Sequence, residues 1–334
     1  MKTIDSLKKY TFLPTVTLSA GLICLFLCAI RFGSTEMSAE AFFGGLFGKD
    51  GYETEQLILF SVRLPRALAG LLAGVGLSVS GVLLQGVTDN ALAGPNIIGV
   101  NAGAGLAAAL LLSFFPMASR FLPVASFAGA FVTTLLIVLA AGKNHSKTGV
   151  ILAGIALTTL FNACISLLTL LDDSILTSYN AFSIGGFADV RIHRLVLPAI
   201  FIGVSFVFAL LYGRQMDTLC IGEASAAVLG VPVRRVRLVC ILCASASAGA
   251  VVSFAGLLGF VGLVVPHITR KLFGCRGRAL VFYGALLGGC VTIGADLAGR
   301  ILLVPTEIPV GITMAFIGAP FFLWLLFRRG NTQE

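Results

Sequence analysis

The sequence predicts an all-α, polytopic membrane protein, and three properties of the chain support this prediction. Of its 334 residues, 57% are hydrophobic and only 11% are charged, whereas soluble domains have about 45–50% apolar and about 25% charged residues. Apolar runs of about 20 residues, the length that spans a bilayer, recur along the whole chain. The 39 glycines suit close contact between helix backbones in lipid. No polar stretch is long enough for a separate soluble domain, so we expect one transmembrane domain over residues 1–334.

Hydropathy predicts about ten transmembrane helices. The first follows Lys2, Lys8 and Lys9, and it is predicted to remain as a helix because no small-residue cleavage site follows it closely. The eighth is short and rich in glycine. The ten predicted spans are residues 11–30, 66–87, 97–115, 121–141, 149–171, 195–212, 238–255, 257–270, 279–302 and 309–327. An even number of spans places both termini on the same side of the membrane.

The distribution of basic residues predicts the orientation. Most lysines and arginines lie beside the spans on the side that holds the N-terminus. Basic residues accumulate in cytoplasmic loops, so both termini are expected in the cytoplasm. The net charge of +8 therefore reflects topology and does not indicate nucleic-acid binding. Arg63 and Arg66, in "SVRLPRALAG", then face outward against this bias and need another explanation.

The second span is rich in small residues, among them Gly70 and Gly74, and this pattern predicts tight helix packing. The stretch "DNALAGPNIIGVNAGAG" follows it on the inner side, where Asn90 and Pro95 interrupt the helix. Irregular polar backbone at membrane depth is tolerated only against protein or a water-filled path. A turn that lines the pathway is one hypothesis for this stretch.

The longest inner loop, residues 213–237, contains a predicted short helix from Glu223 to Leu229. Gly230 is placed to end this helix, and Pro232 prevents its continuation. A helix of this length is not stable alone. It either lies on its own transmembrane domain or inserts into a cytoplasmic partner.

The ninth span carries Asp296 and Arg300 four residues apart on one helical face. A charge near the bilayer centre costs about 2.5–3.5 kcal/mol on insertion scales, so such residues pair or reach the interface. One interpretation is a local pair near the outer surface. The other is that Arg300 joins Arg63 and Arg66 on an outer docking rim, with Asp296 holding it in place.

Several classes of function lack their motifs. The chain has no G-x-x-x-x-G-K-[ST] loop for ATP phosphates and no H-E-x-x-H, and its three histidines lie in different loops. The eight cysteines are interpreted as buried free thiols. We therefore expect no catalysis, no metal and no cofactor in this chain. An ion-coupled secondary transporter remains the alternative, although such carriers use acids within the membrane and the acids here lie near the outer end of the ninth span.

The whole chain resembles the FecCD-type permease subunits of type II ABC importers for iron–siderophores, heme and cobalamin. One departure is Ala91, since family members usually have proline at that position. The stretches that resemble the family are "RLPRALAGLLAGVGLSVSGVLLQG" followed by "NALAGPNIIGVNAGA", "GEASAAVLGV", "LLGFVGLVVPHITR" and "ADLAGRILLVPTEIPVGITMAFIGAPFFLWLL".

This resemblance implies a permease that carries a metal chelate across the bacterial inner membrane, with a ferric siderophore as the first expectation and heme or cobalamin as others. It implies a second permease copy, as homodimer or with a close relative. Two cytoplasmic ATPase subunits would bind ATP and magnesium, and an extracytoplasmic substrate-binding protein would dock outside.

The resemblance also implies roles for individual residues. Residues 183–190 would form an outer helix that shapes the vestibule. Docking of the binding protein would involve Arg63, Arg66 and Arg300. The inner gate would include Asn90 and Leu92, with Lys147 and Thr148 as further candidates. The helix that couples to the ATPase would use Gly222, Glu223, Ala224, Ala227, Leu229 and Gly230.

Overall fold

A computed structural model describes residues 2–96, 98–140 and 147–330, and the side chains at 2–12, 147, 173–174, 325–326 and 328–330 lie outside this description. The described residues form fourteen α-helices. In chain order they are α1 (Lys2–Arg31), α2 (Ala39–Leu46), α3 (Glu53–Ile58), α4 (Leu64–Thr88), α5 (Val100–Phe114), α6 (Leu122–Ala140), α7 (Lys147–Leu171), α8 (Asp173–Ile184), α9 (Ile192–Leu219), α10 (Glu223–Val228), α11 (Val233–Ala255), α12 (Val261–Phe273), α13 (Gly277–Ile301) and α14 (Val310–Gly330).

Each predicted span corresponds to a helix, which confirms the all-helical, polytopic fold. Among the described residues, seven helices are long and apolar enough to cross a membrane. The third and eighth predicted spans correspond to shorter helices, α5 with 15 residues and α12 with 13, whereas α14, at the tenth span, has 21 residues. "Outer" and "inner" below refer to the two ends of the helices in the predicted orientation.

Three helices form the centre of the molecule. In the most apolar 18-residue stretch of each helix, 78% of the residues are buried in the continuous helix that contains α4, and 61% in both α11 and α13. The same share is only 6% in α1 and 17% in α7, so these two lie at the periphery, where lipid or another subunit can cover their apolar side chains.

Glycines set the spacing of the central helices. A Cβ added at Gly74 of α4 would overlap the backbone carbonyl of Gly288 in α13, and one added at Gly81 would overlap the carbonyl of Gly262 in α12. The hydroxyl of Thr292 in α13 donates to the carbonyl oxygen of Gly70, at 2.6 Å. The small-residue pattern of the second span is therefore explained by backbone contact on two sides of α4.

The eighth span differs from its predicted bounds of 257–270. The chain leaves the helical conformation between α11 and α12, where Gly256 has φ +71° and Phe260 has φ +65°. The side chain of Phe260 sits against Gly318 of α14, where a Cβ would overlap it. Helix α12 therefore begins only at Val261 and runs on to Phe273.

The inner loop is shorter than the predicted 213–237. Helix α9 continues to Leu219, and α11 already begins at Val233, with Pro232 as its N-cap residue. Gly213 lies against the backbone of Arg278 in α13, 2.7 Å from where its Cβ would be, so α9 is still packed against a neighbour at this point. The connection that contains α10 is limited to residues 220–232.

Candidate functional site

The three predicted docking arginines meet at the outer end of the molecule with two acids. We call Arg63, Arg66, Asp296, Arg300 and Glu307 the outer arginine cluster. Nε of Arg66 donates to both carboxylate oxygens of Asp296, at 3.0 and 3.1 Å, and an Nη of Arg66 pairs with Glu307. Nε of Arg300 lies 3.0 Å from Asp296 Oδ2, as an ion pair and not an aligned hydrogen bond. Asp296 thus pairs with its helical neighbour and also with an arginine of α4.

Two members of the outer arginine cluster also cap the outer end of α1. Arg63 donates to the carbonyls of Ile30, Arg31 and Thr35, at 3.1, 2.7 and 2.6 Å. Arg300 Nη1 donates to the carbonyls of Ala29 and Phe32, at 3.1 and 3.2 Å. The last carbonyls of a helix lack partners within the helix and carry partial negative charge, so guanidinium groups stabilise them. The outer ends of α1, α4 and α13 are therefore held together by charge.

The arginine side chains face inward. Arg63, Arg66 and Arg300 are only 3%, 5% and 2% exposed, and Asp296 is 2% exposed. In this conformation, the three guanidinium groups therefore do not form the accessible outer rim that the sequence suggested. The docking role of these residues stays a prediction, and the geometry adds that they hold the outer helix ends in place.

Glu307 was not singled out from the sequence, although it lies in the quoted stretch "LLVPTEIPVG". Burial opposes its ionisation, but hydrogen bonds from Ser34 and Arg66 and the charges of Arg66 and Arg300 lower the pKa of Glu307 below its usual value. The Ser34 hydroxyl donates to it at 2.6 Å. Glu307 is therefore charged at neutral pH, and the cluster contains three guanidinium groups against two carboxylates.

A cavity of about 570 Å³ opens beside the cluster, with Arg66 and Glu307 in its wall. The outer end of α11, residues 253–256, and the turn at 185–190 also line this outer cavity. The resemblance implied an outer helix at 183–190, but α8 ends at Ile184. Gly185 has φ +73°, which ends the helix, and its backbone neighbour Gly186 donates to the carbonyl of Ala255, at 2.8 Å.

The predicted coupling helix is present as α10, one residue shorter than expected. Val231 N–H donates to the carbonyl of Ala226, and Gly230 N–H to that of Ala227, both at 3.0 Å. With Gly230 at φ +80°, this is the Schellman arrangement that ends helices at glycine. Gly222, at φ +117°, begins the helix. Both glycines therefore occupy backbone conformations that other residues rarely adopt.

Helix α10 buries one residue and exposes an apolar side. Ala226 is fully buried, whereas Val228 and Leu229 are 89% and 67% exposed. Ala224 and Ala227 are exposed as well. Helix α10 therefore rests on the membrane domain through Ala226 and presents apolar residues outward, and its insertion into a cytoplasmic partner stays a prediction.

A side-chain hydrogen bond stabilises the turn that was predicted as part of the inner gate. Oδ1 of Asn90 accepts from the backbone N–H of Leu92, at 2.9 Å, and Asn90 O accepts from Ala93 N–H, at 3.0 Å. Such an Asx turn fixes the backbone without a proline, which explains how the turn forms with Ala91. Asn90 and Ala91 line an inner cavity of about 510 Å³ together with Arg270.

The remaining gate candidates lie apart in the chain. Thr148 is exposed at the start of α7, and the side chain of Lys147 lies outside the described residues. Their gating role stays a prediction. In the part of the chain that the structure describes, no three His, Cys, Asp or Glu side chains form a group that could hold a metal ion.

Comparison with known proteins identifies the family. A model of the FecCD transport family matches residues 21–328. The chain belongs to the FecCD transport family. It is 32% identical over 325 residues to a hemin transport system permease of Yersinia pestis, covering 95% of this chain and 97% of that protein. It is 33% identical over 335 residues to an Fe(3+)-citrate import system permease of Bacillus subtilis, covering both chains fully.

A solved structure supports the same conclusion. The inward-facing conformation of a metal-chelate type ABC transporter superposes with a TM-score of 0.83 at 29% identity, covering 94% of this chain and 98% of that one. This member of the FecCD family is therefore an integral, multi-pass membrane protein and a permease subunit of an ABC importer. The comparisons support this interpretation and not the ion-coupled alternative.

Proposed function

We propose that this permease carries a metal chelate across the bacterial inner membrane, with a ferric siderophore as the first candidate and heme or cobalamin as the others. Relatives named as hemin and Fe(3+)-citrate permeases support a chelate of this kind. Two copies of the permease, or one copy and a close relative, form the pathway between them. ATP and magnesium are bound by two cytoplasmic ATPase subunits and not by this chain.

The observation that supports this function most directly is α10. It is a short helix fixed at both ends by glycines, and it presents exposed Val228 and Leu229 on the inner side. Apolar side chains displayed on a short loop helix suit insertion into a cleft of another protein. We propose that Gly222, Glu223, Ala224, Ala227, Leu229 and Gly230 form the surface that engages the ATPase.

The two cavities suit alternating access. The inner cavity is bordered by the Asn90 turn, which we propose as part of the inner gate together with Leu92, Lys147 and Thr148. The outer cavity lies at the opposite end, where a substrate-binding protein would deliver the chelate. Arg63, Arg66 and Arg300 would support this docking by holding the outer helix ends.

Reconstitution tests the proposed function. The purified permease alone in liposomes is expected to hydrolyse no ATP, because it has no phosphate-binding loop. With its ATPase and binding protein it should take up one of four offered chelates, namely a ferric hydroxamate, ferric citrate, hemin or cobalamin. Uptake of a chelate by the permease alone under a proton gradient would contradict the proposal.

A single substitution on α10 tests the ATPase contact. Ala227→Arg places a long charged side chain on the exposed apolar side of α10 and is expected to remove ATPase association in a detergent pull-down, while membrane insertion is unchanged. Ser225→Ala is a matched control, since Ser225 is exposed on the same helix. Normal association and transport in Ala227→Arg would mean that α10 does not contact the ATPase.

A further inference from the structure

Helix α10 is joined to the transmembrane helices by a buried charge. Nη2 of Arg237, in the second turn of α11, donates to Glu223 Oε1 at the start of α10, at 2.6 Å. The Arg237 side chain is 2% exposed, whereas that of Glu223 is 47% exposed. A buried guanidinium is retained at a cost unless an acid pairs with it. This pair was not predicted, because its members lie 14 positions apart in two different helices whose packing is not a local property of the sequence.

Side-chain contacts help to position α10. The backbone enters and leaves α10 through glycines at φ +117° and +80°, so α10 does not continue either neighbouring helix. Besides the ion pair, Ala226 belongs to the same apolar cluster as Val236 and Cys240 of α11. Met216 and Leu219 of α9 belong to this cluster too, so α10 rests on both neighbouring helices, and the Glu223–Arg237 pair is its charged contact with α11.

Helix α11 then connects the inner and outer ends of the molecule. Its 23 residues span about 35 Å at 1.5 Å per residue. Near its middle, side-chain hydrogen bonds tie α11 to its neighbours, from Ser247 Oγ to the carbonyl of Gly76 at 2.8 Å and between Ser245 and Thr134. A close-packed interior of this kind transmits strain from one group to the next.

The outer end of α11 holds the wall of the outer cavity. The carbonyl of Ala255 accepts from Gly186 N–H at 2.8 Å, and Leu257 N–H donates to the carbonyl of Phe182 at 3.2 Å. A Cβ at Gly256 would overlap the carbonyl of Phe182, so the end of α8 is in direct contact with the end of α11. A shift of α11 must therefore move α8 and the 185–190 turn, or break these bonds.

We propose that the Glu223–Arg237 ion pair is the positioning contact that transmits movement of the coupling helix to α11, and that α11 carries this movement to the outer cavity. The inference rests on the proposed function, because the movement originates in the ATPase. Hydrogen-bonded and packed groups join α10 to the outer cavity, and energetic coupling between distant sites is carried by such groups.

Glu223→Gln tests the transmission, since it removes the charge of a half-exposed side chain and keeps its shape. The reporter is Ser178→Cys, at an exposed position in the wall of the outer cavity, labelled with a membrane-impermeant maleimide in the reconstituted complex with and without ATP. The chain without the reporter corrects for native cysteines. With native Glu223, we expect ATP to change the labelling rate by about fivefold or more, the lower range of allosteric coupling. Glu223→Gln should bring this ratio close to one. Arg237→Gln breaks the same pair from its buried side, outside the proposed ATPase surface. It should also bring the ratio close to one while leaving ATPase association within about twofold, a change that the same coupling scale treats as minor.

Two further variants separate transmission from general damage. Arg235→Gln removes an exposed charge from the same turn of α11 and should leave the labelling ratio unchanged. Glu223→Asp retains the charge and should restore part of the ratio. A native ratio in Glu223→Gln, or no ATP effect on Ser178→Cys in an active complex, would overturn the inference. Loss of ATPase association in Arg237→Gln would also overturn it, because the pair would then only hold the docking surface. A complex with native Glu223 that neither hydrolyses ATP nor transports would instead contradict the proposed function.

Discussion

Asp296→Asn is expected to lower the stability of the folded permease more than any other single change at the outer face. Asp296 is 2% exposed and pairs with both Arg66 and Arg300, which are themselves buried. An asparagine of the same shape leaves three guanidinium groups with only Glu307 to balance them. Breaking a buried ion pair by removing one partner costs about 3–5 kcal/mol. We expect a large fall in the Tm of the protein in detergent and a poor yield of folded protein.

Asp189→Asn is the matched control, since Asp189 is an exposed acid in the wall of the outer cavity. It should change the Tm little, because exposed charges contribute about 0–1 kcal/mol. Equal Tm values for Asp296→Asn and Asp189→Asn would mean that the outer arginine cluster does not stabilise the fold.

The same geometry changes how the docking role of the arginines must be tested. Arg66→Glu would place a third carboxylate beside Asp296 and Glu307, inside the protein and not on a rim. A loss of docking in that variant could follow from a disturbed fold alone. Exposed Arg194 in the wall of the outer cavity offers a charge reversal that leaves the cluster intact.

Gly288→Ala is expected to disrupt the crossing of α4 and α13. A Cβ at Gly288 would overlap the carbonyl oxygen of Gly74 and lie 2.9 Å from the Cβ of Ser78. The obstacle includes backbone, which cannot rotate away, so the two central helices must separate. Overpacking in a core costs about 1–3 kcal/mol or more. We expect a marked fall in Tm and a loss of transport in the reconstituted complex.

Gly294→Ala, in the same helix, is the control because nothing lies within 4 Å of the added Cβ. Alanine is favoured over glycine inside a helix by about 0.5–1 kcal/mol, so this variant should be as stable as the native protein or slightly more stable. If Gly288→Ala behaved like Gly294→Ala, the close crossing would not be a determinant of stability.

Local patterns in the sequence predicted much of this fold. Hydropathy located the spans because most of the helices are apolar over most of their length. Gly230 and Pro232 marked the end of α10 because glycine adopts positive φ readily and proline cannot continue a helix. The contact of Asp296 with Arg300 was also predicted, since residues four apart share a helical face.

Long-range contacts could not be predicted from one sequence. The pair of Arg66 with Asp296 joins residues 230 positions apart, and nothing local shows which face of α4 meets α13. The burial of the three arginines and the pairing of Arg237 with Glu223 could not be predicted for the same reason, because both depend on how the helices pack. The contact of the 185–190 turn with the end of α11, through Gly186 and Ala255, is likewise long-range in sequence.

The outer arginine cluster also has a consequence for how the protein is made. Arg66 enters the membrane region with the second span, but Asp296 and Glu307 are synthesised 230 and 241 positions later. At about 5–20 residues per second this interval is on the order of ten to fifty seconds. During this time the guanidinium groups of Arg63 and Arg66 have no acid from α13 beside them. The outer ends of the early helices must therefore stay near water or the insertion machinery until the ninth span arrives, and the final arrangement of the first helices is set by one of the last.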